Sequence, residues 1–364
     1  MKILIISDAW GPQINGVVRT LQATAAELVS MGHEVRIAGP QEKPFTFAAP
    51  SYPEIRLEFF ARPRLRQMLR DWQPDFIHVA TEGPLGWAMR GVCLRQRRPF
   101  TTSYHTRFPE YLAARAPRFL RPTIRSLTYA ILRRFHAPAG AVMVATPSIE
   151  NELRAHHFHR LVRWSRGVDT DLFRPGGKDI PVYAGLPRPI LLYVGRVSVE
   201  KNLRDFLNLR KAGSKIVIGD GPDLAPLRAE FPQAHFLGSM SGDPLARHYA
   251  AADLFVFPST TDTFGLVLLE AAAAGLRVAA KPAPGPVDLF ASGAGENFAV
   301  LDDDLQKAVD RALALPDQAQ GARDFAAGYS WSACTRQFLA HLQAPSPQAT
   351  RRLARWYRRI GEGI

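Results

Sequence analysis

Short apolar runs separated by amphipathic stretches recur along most of this chain, and that alternation constrains its fold more than any other feature. KILIIS (2–7), HEVRIAG (33–39), DFIHVA (75–80), PFTTSY (99–104) and GAVMVAT (140–146) read as buried strands. Residues 16–32 read as a helix ended by Gly32, and helical stretches lie between the other runs. A second series starts near residue 189 with PILLYVG (189–195), SKIVIG (214–219), AHFLG (234–238), DLFVF (253–257) and LRVAA (276–280). Strands alternating with helices build doubly wound parallel sheets, so an α/β chain with two Rossmann-like domains facing a cleft is expected. A length of 364 residues also exceeds what one core usually serves. The Pro- and Gly-rich stretch 175–188 reads as an interdomain connection. The expected bounds are 1–168, 169–330, a crossover helix over 331–343 that packs back towards the first domain, and a basic tail over 344–364.

Charge is unevenly placed. Residues 1–165 hold 23 of the 46 Lys and Arg but 12 of the 33 Asp and Glu, a net of +11 against +2 for the remainder. An anionic partner for the first half follows, whether nucleic acid, an anionic membrane or a phosphorylated substrate. Recognised nucleic-acid motifs are missing, and the basic stretches lack a stacking series of aromatics, so nucleic acid is not expected. Two cysteines, Cys93 and Cys334, make neither a disulfide framework nor a zinc site, which fits a reducing cytoplasm. The first apolar run stops at Asp8, too short for a secretory leader, and no run is long enough to span a bilayer.

Three features of the second half converge. In GRVSVEKNL (195–203), Gly195 ends a strand and Lys201 is expected to open a helix, with Arg196 and Lys201 bracketing the loop. Two cations beside helix amides suit a diphosphate. IGDGP (218–222) is a tight turn whose Gly219 and Gly221 allow close backbone approach. In TDTFGLVLLEAAAAG (261–275), Asp262 precedes Thr263, Phe264 and Gly265, where a helix should begin, and Glu270 stands in an otherwise apolar stretch. A carboxylate there needs a partner, either the hydroxyl pair of a ligand or a backbone or lysine donor. DTD (169–171) and DDD (302–304) read as a loop and a helix start, not as metal ligands.

These three motifs, in order, resemble the family 4 retaining glycosyltransferases of the GT-B fold. ISDAWGPQINGVVRTL (6–21), TSYHTRFPEYL (102–112) and RGVDTDLFRP (166–175) match as well, most closely the branch that glycosylates lipids. That branch includes sulfoquinovosyl, glucosyl and glucuronosyl diacylglycerol synthases and GDP-mannose-dependent phosphatidylinositol mannosyltransferases. The resemblance implies that Arg196 and Lys201 neutralise the diphosphate, that Glu270 holds the ribose hydroxyls, and that Asp262, where the family has Glu, lies beside the donor sugar. It implies backbone contacts from Gly195, Gly219, Gly221, Thr263, Phe264, Gly265 and Leu266, close passage of the loop at Gly16, and a donor-sugar contact from His105. It also implies retention at the anomeric carbon, a nucleotide diphosphate sugar as substrate and no cofactor or metal. The expected donor is UDP-glucose or UDP-glucuronate and the expected acceptor a membrane lipid such as diacylglycerol. The alternatives are GDP-mannose with a lipid or soluble glycan acceptor, and more remotely a GT-B nucleotide-sugar epimerase.

The acceptor is expected on the first domain. In RAPRFLRPTIRSLTYAILRRF (115–135), Leu120, Ile124, Leu127, Ile131 and Phe135 recur at helical spacing, with Arg118, Arg121 and Arg125 off that stripe. Such a helix either lies on an anionic membrane or turns the stripe to the core and its arginines to water. With the tail RRLARWYRR, the pattern favours peripheral contact with the cytoplasmic face of a membrane. Oligomeric state is not legible.

Overall fold

A computed structural model describes residues 1–11, 15–41, 46–49, 52–178, 180–210, 213–291 and 293–343. The chain divides into two compact units. The first runs Met1–Ser165 and takes back the chain from Cys334; the second is Arg166–Ala333. The unit boundary therefore falls between Ser165 and Arg166, not in 175–188. That stretch packs within the second unit: Tyr183 is buried and its hydroxyl meets His248 Nδ1 at 2.8 Å, and Arg188 pairs with Asp253 at 2.7 Å.

The first unit holds β1 (Lys2–Ile6), β2 (Glu34–Ala38), a two-stranded antiparallel ladder of β3 (Thr46–Ala49) and β4 (Tyr52–Glu58), then β5 (Phe76–Val79), β6 (Thr101–Tyr104), β7 (Val142–Val144) and β8 (Leu161–Arg163). Its main sheet is parallel in the order β2-β1-β5-β6-β7-β8. The second holds β9 (Ile190–Val194), β10 (Ser214–Ile218), β11 (His235–Phe236), β12 (Leu254–Phe257), β13 (Arg277–Ala280) and β14 (Ala299–Leu301), parallel in the order β11-β10-β9-β12-β13-β14. Every residue of β9 and of β12 is buried, as expected of strands covered on both faces by crossover helices. The strand order reverses between β1 and β5 in one sheet and between β9 and β12 in the other. Those switch points open crevices at the strand ends.

The helix Trp331–Gln343 returns to the first unit. Its Phe338 is fully buried, with ring centroids 4.9 Å from His78 and 4.8 Å from Trp164. Gln337 Oε1 accepts from the Ser165 amide at 3.0 Å, and the Cys334 thiol donates to Ser165 O.

The basic helix Arg121–His136 buries Thr128, Tyr129, Leu132, Phe135 and His136. Only Phe135 of the expected stripe faces the core. Phe119, Leu127 and Ile131 are 80%, 60% and 46% exposed, and Leu120 is exposed too. The core-facing reading of that stripe is overturned. A register of Tyr129, Leu132 and Phe135, four and seven residues after Arg125 and Thr128, reaches the sheet instead. Arg118 and Arg121 are exposed, and Arg125 pairs with Glu110 at 3.0 Å.

Candidate active site

The second unit's switch point gathers the motif residues. Past β9, Gly195 leaves no room for a side chain, since a Cβ would lie 2.9 Å from the Tyr193 hydroxyl. That hydroxyl donates to Arg196 O at 2.7 Å and so fixes the backbone that carries the half-buried Arg196. Lys201 does not open a helix. It closes a 3-10 turn, Val199–Lys201, and the helix after it, Leu203–Leu207, is too short to carry an anion site of its own.

Lys201 and Asp262 are 61 residues apart in sequence and meet at 2.5 Å, Nζ to Oδ1. Both side chains are about four-fifths buried, so the cost of desolvating them offsets much of their attraction. The pair's value is positional. An ammonium has three donors, so one N–H can stay on Asp262 while another meets a phosphate. Asp262 Oδ2 is buried with no hydrogen-bond partner among the described residues.

Gly265 is left-handed (φ 84°) and caps the helix Leu266–Ala273, which no side chain caps. The first amides of a helix lack intrahelical partners, and no side chain supplies one here. The helix is apolar around its circumference and buried accordingly. Glu270, 2% exposed, accepts from the Tyr249 hydroxyl at Oε2, 2.9 Å. Tyr249 was not foreseen: it belongs to no motif and lies 21 residues away.

The glycines of the IGDGP turn also pass close to the protein's own backbone. A Cβ on Gly219 would sit 1.8 Å from Gly195 O, and one on Gly221 would sit 2.3 Å from Val197 O. Their missing side chains let the turn press against the backbone that bears Arg196. Asp169 Oδ1 closes a turn by accepting from Asp171 and Leu172, and Asp304 caps the helix Leu305–Ala314.

In the first unit, Gly16 starts the helix Gly16–Ser30, whose Val17 and Val18 amides donate to the Asn15 side chain. His105 follows β6 and stands edge-on to Trp164, centroids 5.8 Å apart. The switch point of this sheet is filled by Asp8, which the motifs did not single out although a carboxylate ending an apolar strand is a signal. Asp8 accepts from the Leu85 and Gly86 amides (2.8 and 3.1 Å) and from the Thr81 hydroxyl (2.9 Å). Burial pushes its carboxyl up from 3.8 to about 6, against the lowering effect of those donors. An acid raised in this way holds its proton more tightly when folded. Its ionisation therefore withdraws stability as pH rises through about 6, by about 3 kcal/mol at most. The melting point of Asp8→Asn should gain on that of the unmodified protein between pH 5 and pH 7.5. A constant gap across that range contradicts the assignment.

Residues 14–172 match the family described as Glycosyltransferase Family 4, and residues 188–317 match Glycosyl transferases group 1. A GDP-mannose-dependent alpha-mannosyltransferase of Mycolicibacterium smegmatis is 30% identical over 312 residues, covering 80% of this chain and 82% of its own. The chain belongs to glycosyltransferase family 4. The alpha-monoglucosyldiacylglycerol synthase of Streptococcus pneumoniae is 26% identical to this glycosyltransferase over 321 residues, covering 78% of this chain and 72% of the synthase. In fold, the glycosyltransferase matches Anabaena HepE, solved with UDP-glucose, at a TM-score of 0.69 and 17% identity, over 94% of this chain and 99% of HepE. The two parallel-sheet units are those of a GT-B enzyme.

Proposed function

We propose that this glycosyltransferase moves a hexose, with retention, from a UDP-glucose or UDP-glucuronate type donor to a membrane lipid such as diacylglycerol, and that it does so without a metal. The lipid acceptor rests on one observation above all. The first unit exposes Phe119, Leu120, Leu127 and Ile131 beside Arg118, Arg121 and Arg125. Apolar side chains ringed by arginines match the boundary between acyl chains and anionic headgroups, with about 1 kcal/mol per Arg near such a surface. No helix among the described residues is long and apolar enough to cross a membrane, so the contact proposed is peripheral, on the cytoplasmic face. The basic tail assigned to it lies outside the described residues.

In the transfer, the bond from the anomeric carbon to the diphosphate oxygen breaks and the bond to the acceptor oxygen forms. The acceptor proton passes to the departing phosphate oxygen on the same face. The anomeric carbon gains oxocarbenium character while negative charge grows on the diphosphate. In this reading Arg196 and Lys201, both of which follow β9, counter that charge in the role a divalent cation takes elsewhere. Glu270 takes the ribose hydroxyls, Asp262 the sugar, and the backbone at Gly195, Gly219, Gly221 and Thr263 to Leu266 the rest of the donor.

A GDP-mannose donor is the second reading, favoured by the 30% identical mannosyltransferase. Incubation with labelled UDP-glucose, UDP-glucuronate or GDP-mannose, a chelator, and vesicles containing diacylglycerol separates them. The expected result is labelled glycolipid from one UDP-sugar. Label from GDP-mannose alone selects the second reading, and an absolute requirement for magnesium ends the metal-free mechanism. Vesicle binding should rise with anionic lipid, fall with salt and be lost in Leu127→Glu/Ile131→Glu. Equal binding to neutral vesicles contradicts the membrane face.

A further inference from the structure

The turn that carries Lys201 is secured by more than its own ion pair. Asn202 is left-handed (φ 52°, ψ 39°), a conformation that residues other than glycine adopt reluctantly, Asn less so than most. Its amide Nδ2 donates to Asp205 Oδ2 at 2.7 Å and to Pro258 O at 3.4 Å. The Thr261 hydroxyl donates to Glu200 O at 3.2 Å. The turn Val199–Lys201 is thus tied on both sides to the loop that follows β12. Lys281, the first residue past β13, gives its ammonium to the same Asp205 Oδ2. Burial alone would raise the Asp205 carboxyl. The bonds from Lys281 and Asn202 outweigh it and hold the carboxyl below its ordinary value. Asp205 is therefore a charged post gripped from two sides, one of them 76 residues distant in sequence.

We propose that Lys281 is a positioning residue for Lys201: it fixes Asp205, Asp205 fixes the Asn202 amide, and the left-handed turn at Asn202 sets where the Lys201 ammonium points. This rests on the reading that Lys201 meets the donor diphosphate. Without the Lys281 ammonium, the Asp205 carboxylate, 40% exposed, turns to water. The Asn202 side chain then keeps only its longer bond to Pro258 O, and Lys201 samples positions in which it no longer faces a phosphate. Lys281 does not touch the donor in this account.

The test is calorimetric titration of the full chain with UDP and with GDP, with the melting point of every variant measured alongside. Lys281→Met should bind the nucleoside diphosphate about tenfold more weakly and Lys281→Arg within about threefold of the unmodified protein, with melting points alike. Asp205→Asn should lose as much as Lys281→Met, and combining the two should add nothing. Introducing Lys281→Met into Lys201→Met should likewise add nothing, because the side chain it positions is gone. Undiminished binding by Lys281→Met overturns the proposal, as does a further loss in the Lys201→Met background. If Lys201→Met itself binds as tightly as the unmodified protein, the diphosphate reading of Lys201 falls and takes the proposal with it.

Discussion

Lys201→Met should cut turnover by roughly 10²–10³-fold while lowering the melting point by only a few degrees. The two halves of this expectation have separate causes. Removing one fixed donor from developing charge costs about 2.7–4 kcal/mol of barrier, because a protein site does not reorganise to replace it. The ion pair with Asp262 is about four-fifths buried, so removing the cation strands a largely buried carboxylate, while methionine keeps most of the stem's packing. Initial rates on a labelled nucleotide sugar, read beside a thermal scan, decide the matter. Undiminished rates would remove Lys201 from the chemistry, and a collapsed melting point would make its role structural.

Gly219→Ala should damage the second unit far more than its single added methyl suggests. The new Cβ would arrive 1.8 Å from Gly195 O, and Gly219 is at φ 149°. The obstacle is backbone, held on one side by the Gly195 amide on Ile218 O (3.0 Å) and on the other by the Gly219 amide on Gly238 O (2.8 Å). Neither strand end can give way without breaking a ladder bond. Overpacking and backbone strain together put the loss at about 3 kcal/mol or more, which lowers the melting point by roughly 6–12 °C for a unit of this size. Gly177→Ala is the control, because nothing lies within 4 Å of its missing Cβ. Similar melting points for the two variants would contradict the packing role of Gly219.

The strands that dominate both sheets were legible because a parallel strand buried on both faces is a continuous apolar run, as in ILLYV of β9. Some of the shorter strands were not. β8 (LVR) and β14 (AVL) are three residues each, and β4 carries Arg56 and Glu58 in a ladder outside the main sheet. The stretch 175–188 misled for a physical reason. Proline and glycine report the lack of regular structure, not the lack of contacts, and Tyr183 there is buried. Helical spacing found the Leu120–Phe135 stripe, most of it exposed as the membrane reading requires, but not the face that the helix buries. A helix with two apolar faces buries whichever fits the sheet, here Tyr129 and Leu132. At the site, the motifs led to Lys201, Asp262 and Glu270. The groups that hold them, Tyr249, Asp205 and Lys281, carry no local signature, because a supporting contact can come from any strand end that folding brings near.

The helix that leaves Arg166–Ala333 and re-enters the first unit makes the second unit an insertion within the first. Ser165 and Cys334 touch although 169 positions part them in sequence. A ribosome delivers Phe338, a core residue of the first unit, only after the whole second unit has emerged. The earlier part of the first unit must therefore wait with a gap where that ring belongs. A chain cut before Cys334 would unsettle the half of the molecule made first, and a short loop joining Ser165 to Cys334 should let that half complete itself alone.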